Sequence, residues 1–153
     1  MRHALVAAAA LAALALAAQA PARTNCTAGV KTVGGVTYRT FCGSAKATVV
    51  TKTQTFRFAG GECSKSGGAF SVNIGTITLP PGKPKYTYFG VAVFNTHAGT
   101  FSKPAPAVTW QLPGGRRGSL LYATVTIAPG MKKGSFTGKL LGTNETAHGS
   151  FTC

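Results

Sequence analysis

Glycine and proline interrupt this chain at short, regular intervals: Gly34-Gly35, Gly60-Gly61, Gly67-Gly68, Pro80-Pro81-Gly82, Ala98-Gly99, Pro113-Gly114-Gly115, Pro129-Gly130 and Gly142-Thr143-Asn144. Proline lacks the backbone donor a helix needs, and glycine weakens helix interiors, so repeated breaks of this kind disfavour helices. The runs between the breaks are rich in Val, Thr, Phe and Tyr and carry no sustained helical period. β-Branched and aromatic residues bounded by turn formers every ~8–12 residues point to short strands. Strands are expected over 28–33, 36–42, 45–51, 54–59, 69–79, 86–94, 106–112, 120–128, 134–141 and 147–153. The expected fold class is all-β, an antiparallel β-sandwich of immunoglobulin-like type held by two disulfides.

One hairpin can be checked for internal consistency. With Lys52-Thr53 as its turn, Val49 faces Phe56 and Ala47 faces Phe58 on one side, while Thr48 faces Arg57 on the other. Alternation of this kind is what a half-buried antiparallel pair requires. Continued outward, the same register sets Cys42 opposite Cys63. At the far end, Gly134-Ser135-Phe136-Thr137-Gly138 and Gly149-Ser150-Phe151-Thr152-Cys153 flank a turn near Thr143-Asn144 and read as a closing hairpin.

The first residues have the form of an export signal. Met1, Arg2 and His3 precede an Ala/Leu run from Ala4 to Ala18, and Ala20-Pro21-Ala22 offers a small-x-small cleavage triplet. The run is too short to span a bilayer, which takes about 20 apolar residues. Residues 1–22 are therefore assigned as a signal peptide and residues 23–153 as a single secreted domain, with no transmembrane segment expected. Arg23-Thr24-Asn25 ahead of Cys26 lacks the small apolar residues that precede a lipidated cysteine.

In an exported chain the four cysteines, Cys26, Cys42, Cys63 and Cys153, read as two disulfides. The hairpin register favours Cys42–Cys63, which leaves Cys26–Cys153. The rival pairing is Cys26–Cys42 across the Gly34-Gly35 turn, with Cys63–Cys153. No C-x-x-C or Cys/His cluster suggests zinc, so no metal is expected.

Charge is the second strong constraint. Sixteen Lys and Arg stand against two acids, Glu62 and Glu145, with no Asp anywhere. Loss of Arg2 with the leader leaves fifteen cations against two acids, a net charge of +13. At most two cations can be paired internally, so the remainder face water or an external anion. The partners this implies are anionic envelope polymers or anionic lipid headgroups, with nucleic acid bound only non-specifically. Six residues in or beside turns are the candidate anion-binding set: Lys83, Lys85, Arg116, Arg117, Lys132 and Lys133.

Several stretches resemble those of small exported β-sandwich proteins of actinobacterial type. They are Val36-Thr37-Tyr38 through Phe41-Cys42-Gly43, Gly60-Gly61-Glu62-Cys63, Asn73-Ile74-Gly75, Val108-Thr109-Trp110 and the terminal Gly-Ser-Phe-Thr repeats. A fainter likeness is to mycobacterial lipoprotein antigens, although the lipid-attachment cysteine of those proteins has no counterpart here. The resemblance implies fold and location and transfers no catalytic or binding residue.

Catalytic constellations are missing from the residues themselves. Paired-carboxylate chemistry needs two adjacent acids, and Glu62 and Glu145 lie in unrelated segments. A Ser-His-Asp triad lacks its Asp, and His97 and His148, the histidines after the leader, each sit beside a glycine turn. Phosphate-binding glycine loops and calcium loops are also absent, so neither an enzyme nor a cofactor is expected. The alternative reading is a carbohydrate-binding module that stacks sugars on exposed aromatics, with Tyr86, Tyr88 and Trp110 as candidates. Against it, Trp110 alternates with Val108 and Leu112, as a core residue would.

Overall fold

The structure is a computed structural model that describes residues 26–153. The assigned leader, residues 1–22, and the first three residues of the assigned domain lie outside the described residues. Twelve strands follow one another: β1 (Gly29–Val33), β2 (Val36–Phe41), β3 (Lys46–Val50), β4 (Thr55–Ala59), β5 (Gly61–Ser66), β6 (Ala69–Thr78), β7 (Tyr88–Val93), β8 (Gly99–Phe101), β9 (Ala107–Gln111), β10 (Arg117–Ile127), β11 (Lys133–Leu140) and β12 (Thr146–Thr152). Their pairing order is β1-β2-β6-β7-β9-β10-β11-β12-β3-β4, with β5 also on β6 and β8 also on β10. Every pairing is antiparallel. The all-β, antiparallel, doubly disulfide-bonded class expected from the sequence is the class observed.

The strands form two layers joined through β10. Arg117, Gly118 and Ser119 pair with β9 in the first layer. From Leu120 onward the strand pairs with β11, and its last three residues pair with β8, in the second. The register breaks between Leu121 and Thr124, where Tyr122 takes a left-handed φ of 51°. A bulge there bends the strand and lets it serve both layers. Inward residues alternate along each strand, so Phe70, Val72, Ile74, Phe89, Val91 and Trp110 of one layer meet Val49, Phe58, Val125, Phe136 and Phe151 of the other. Ring contacts cross the interface: Phe58–Phe89 at 5.4 Å, Phe89–Phe136 at 5.5 Å, Phe70–Phe151 at 6.0 Å and Phe56–Trp110 at 6.4 Å. Burial of these large apolar surfaces is the main force holding the layers together.

The terminal repeats pair with one another. Gly134 faces Phe151, Ser135 faces Ser150 and Phe136 faces Gly149. A β-carbon on Gly134 would run into the Phe151 ring, and one on Gly149 into the Thr48 carbonyl and the Phe136 ring. Each phenylalanine thus lies over the bare backbone of the other repeat's glycine, which explains why glycine interrupts two otherwise good strands.

The β3–β4 hairpin has the expected register, with Val49 on Phe56, Ala47 on Phe58 and Thr48 on Arg57. Its extension to the cysteines fails. The disulfides are Cys26–Cys42 and Cys63–Cys153, not the favoured Cys42–Cys63 and Cys26–Cys153. The cause lies at Gly60, whose φ of 85° turns the chain out of the second layer and into the first. Two backbone bonds hold the crossing, Gly60 N–H to the Ala45 carbonyl (3.1 Å) and Ala45 N–H to the Gly61 carbonyl (3.0 Å). Cys63 is carried onto β5, opposite Val72, and there meets Cys153 from the end of β12. Cys42, at the end of β2, meets Cys26 across the β1–β2 hairpin.

Two strands, β5 and β8, have no counterpart among those expected from the sequence. Gly61-Glu62-Cys63-Ser64-Lys65-Ser66 has little strand propensity of its own and is a strand because it completes the edge of β6. Among the described residues no helix is long and apolar enough to cross a membrane.

Candidate functional site

All fourteen lysines and arginines among the described residues are exposed. A chain with two carboxylates cannot pair them internally, and burying an unpaired cation costs several kcal/mol (about that order). The folded surface therefore keeps the charge excess of the sequence.

Four of the six candidate cations are gathered at one end of the fold. The turn between β9 and β10 is closed by a 2.9 Å bond from Leu112 N–H to the Arg116 carbonyl. It leans on the loop after β6: Gly115 N–H donates to the Pro84 carbonyl (3.3 Å), and Arg117 Nη2 donates to the Gly82 carbonyl (2.7 Å). Lys83-Pro84-Lys85 and Arg116-Arg117, thirty-odd residues apart in sequence, are thereby held side by side. Pro84 is buried while both lysines are exposed, so the loop is anchored by its middle and presents a cation on each side. Lys132 and Lys133 are not part of this group. They follow the far end of β10, an eleven-residue strand whose near end carries Arg117.

Beneath the arginine turn lie two clefts that share Trp110, Arg117 and Gly118. The first, about 370 Å³, is bounded by Ile77, Thr78, Pro80, Gln111, Ser119 and Leu141. The second, about 320 Å³, opens between Thr51, Gln54, Phe56, Leu112, Arg116 and Glu145. Gly118 makes the division thin, since a β-carbon there would strike the Trp110 indole. One polar side chain in the first cleft is fully committed: Gln111 Oε1 accepts from Thr78 N–H (2.9 Å), and its Nε2 donates to the Thr78 carbonyl (3.1 Å). Gln111 is thus a structural strut, and the guanidinium of Arg117 remains the cleft's charged feature.

The three candidate stacking aromatics do not form a platform. Trp110 is 4 % exposed and faces the core against Phe56. Tyr88 is 7 % exposed, packs on Phe41 at 6.0 Å, and donates its hydroxyl to Asn73 Oδ1 at 2.8 Å. Burial pushes the Tyr88 hydroxyl pKa up to about 12, with nearby Arg39 opposing that rise. Trp110 and Tyr88 are thereby withdrawn as sugar-stacking residues, because neither offers a free face. Tyr86 alone is open, at 51 %, standing edge-on to Tyr38 at 5.5 Å beside Lys85.

The titratable residues elsewhere stay apart. His97 packs on Phe101, and His148 sits on β12 between Val50 and Thr137. Neither histidine lines either of these two clefts. Glu62 lies on β5 opposite Asn73. Among the described residues no three His, Cys, Asp or Glu side chains come together as a metal site would require. The grouping of Lys83 and Lys85 with Arg116 and Arg117 could not be read from the sequence, because it rests on two long-range hydrogen bonds. Compared with protein-family models, with curated proteins and with solved structures, the chain matches none of them.

Proposed function

We propose that this is a non-catalytic exported protein that associates with anionic polymers or headgroups of the cell envelope through its cationic end. The observation that carries the reading is the hydrogen-bonded juncture of Lys83-Pro84-Lys85 with Arg116-Arg117. Four cations held on two anchored loops offer an anion neighbouring charges at little further ordering cost. Arginine adds a planar, bidentate donor suited to phosphate or carboxylate oxygens, and lysine adds a mobile point charge. Tyr86, beside Lys85, gives the rim one apolar face. Secretion is supported by the form of residues 1–22, and two disulfides fit an oxidising compartment.

The test is retention on an immobilised polyphosphate across a salt series. Binding should fall steeply between about 50 and 500 mM salt as screening shortens the reach of each charge. Lys83→Ala/Lys85→Ala/Arg116→Ala should weaken retention and flatten the salt slope by roughly one unit per contact removed. Lys132→Ala/Lys133→Ala, at the other end, should change it less per charge. Salt-independent retention, or equal effects from the two ends, would rule the reading out.

A further inference from the structure

Beside the cationic end the surface turns apolar. Tyr122 is 82 % exposed, Leu141 56 % and Leu121 43 %. They are neighbours: Leu121 pairs with Lys139, and Leu141 N–H donates to the Ser119 carbonyl (2.8 Å). Leu121 and Leu141 are therefore diagonal partners on the outward side of β10 and β11, within side-chain reach. Leu141 also bounds the cleft that Arg117 lines, with Ile77 and Pro80, so the apolar shelf adjoins the charged end.

Tyr122 adds a second observation. Its left-handed φ of 51° is a conformation that aromatic residues rarely adopt. The backbone bears that cost and yet directs the ring outward into water, where it has no packing role. Asn or Gly would fit the bulge with less strain.

We infer that the face formed by Leu121, Tyr122 and Leu141 docks on an anionic lipid bilayer. The three side chains enter the interface while Arg117, Lys139 and the neighbouring cationic loops meet headgroup phosphates. The inference rests on the anionic-partner reading above and narrows it to one source. Charge selects the occupant, because an apolar shelf bordered by cations complements a surface that is anionic outside and hydrocarbon beneath. Tyrosine has the amphipathic shape of the interfacial layer, its ring among the upper acyl carbons and its hydroxyl at the headgroups. A purely polymeric anion would use the charges and leave the shelf idle.

The experiment compares the whole protein with Leu121→Ser/Tyr122→Asn. Asparagine tolerates the left-handed backbone, so the fold is kept, and circular dichroism checks it. Both proteins are sedimented with phosphatidylcholine vesicles, with and without phosphatidylglycerol, and run on the polyphosphate resin. The wild type should bind the phosphatidylglycerol vesicles and keep part of that binding at high salt. The variant should lose about tenfold or more in vesicle partition, with resin retention unchanged. In a second measurement Tyr122→Trp should be quenched by bromine-labelled lipid. Unchanged vesicle partition in the variant, or no quenching, overturns the inference. Resin binding without vesicle binding by the wild type overturns it too, and leaves the anionic-partner reading standing. Binding to neither removes both.

Discussion

Replacing Cys63 and Cys153 together by alanine should cost far more stability than replacing Cys26 and Cys42. The two bridges span 90 and 16 residues of sequence. In the chain-entropy description they restrict the unfolded chain by about 4.6 and 3 kcal/mol respectively. The native structure widens that gap. Cys63 and Cys153 pack against the core cluster and tie the two layers together, and Cys153 N–H is itself bonded to the Lys132 carbonyl at 2.8 Å. Cys26 tethers β1, whose five residues are all exposed and which pairs with β2 alone. Without its bridge, β1 can fray while the core stays intact, so the observed loss there should fall well below 3 kcal/mol (roughly 1). A domain of this size has about 5–15 kcal/mol in total, so loss of the longer bridge takes a large share. With a urea dependence of about 1.5–2 kcal/mol per molar, its midpoint should drop by roughly 2–3 M. Urea titration followed by Trp110 fluorescence reads this directly, because Trp110 lies between the layers. Equal losses from the two double variants would refute the argument, as would a loss under about 1 kcal/mol for Cys63→Ala/Cys153→Ala.

Two further outcomes follow from buried contacts. Gly149→Ala should destabilise by about 1–3 kcal/mol in the same titration, because its new methyl meets the Thr48 carbonyl and the Phe136 ring; Ser150→Ala, at the exposed neighbour, should stay within about 0.5 kcal/mol. Tyr88 holds its proton to about pH 12 when folded and to its ordinary value of 10.0 when unfolded. Its contribution is thus complete below pH 10.0 and falls away as pH rises towards about 12, by at most ~2–3 kcal/mol. Tyr88→Phe should flatten the stability profile in that window, and an unchanged profile would show that other groups set it.

Most of the strands were legible because turn residues and alternation are local signals. The β3–β4 register followed from Ala47, Val49, Phe56 and Phe58 without any knowledge of the rest. The same local logic misled at Gly60, because nothing in Gly60-Gly61 distinguishes a bulge within a hairpin from a crossing between layers. That one left-handed residue reassigned both disulfides. The inward place of Trp110 was readable from Val108 and Leu112. Burial of Tyr88 was not, since it depends on Phe41 and Asn73 from other strands. The cationic residues were visible as types and positions, but which of them share an end depends on backbone bonds from Pro84 and Gly82.

The position of β12 carries a consequence for how the molecule comes into being. It lies between β11 and β3, so the latest of the strands bridges the second layer to one of the earliest. Until Thr146–Thr152 arrive, β3 and β4 have no route into that layer and Phe151 leaves its place beside Phe70 unfilled. Attachment of the β3–β4 hairpin to β11 therefore rests on one long-range pairing, that of β12 with β3.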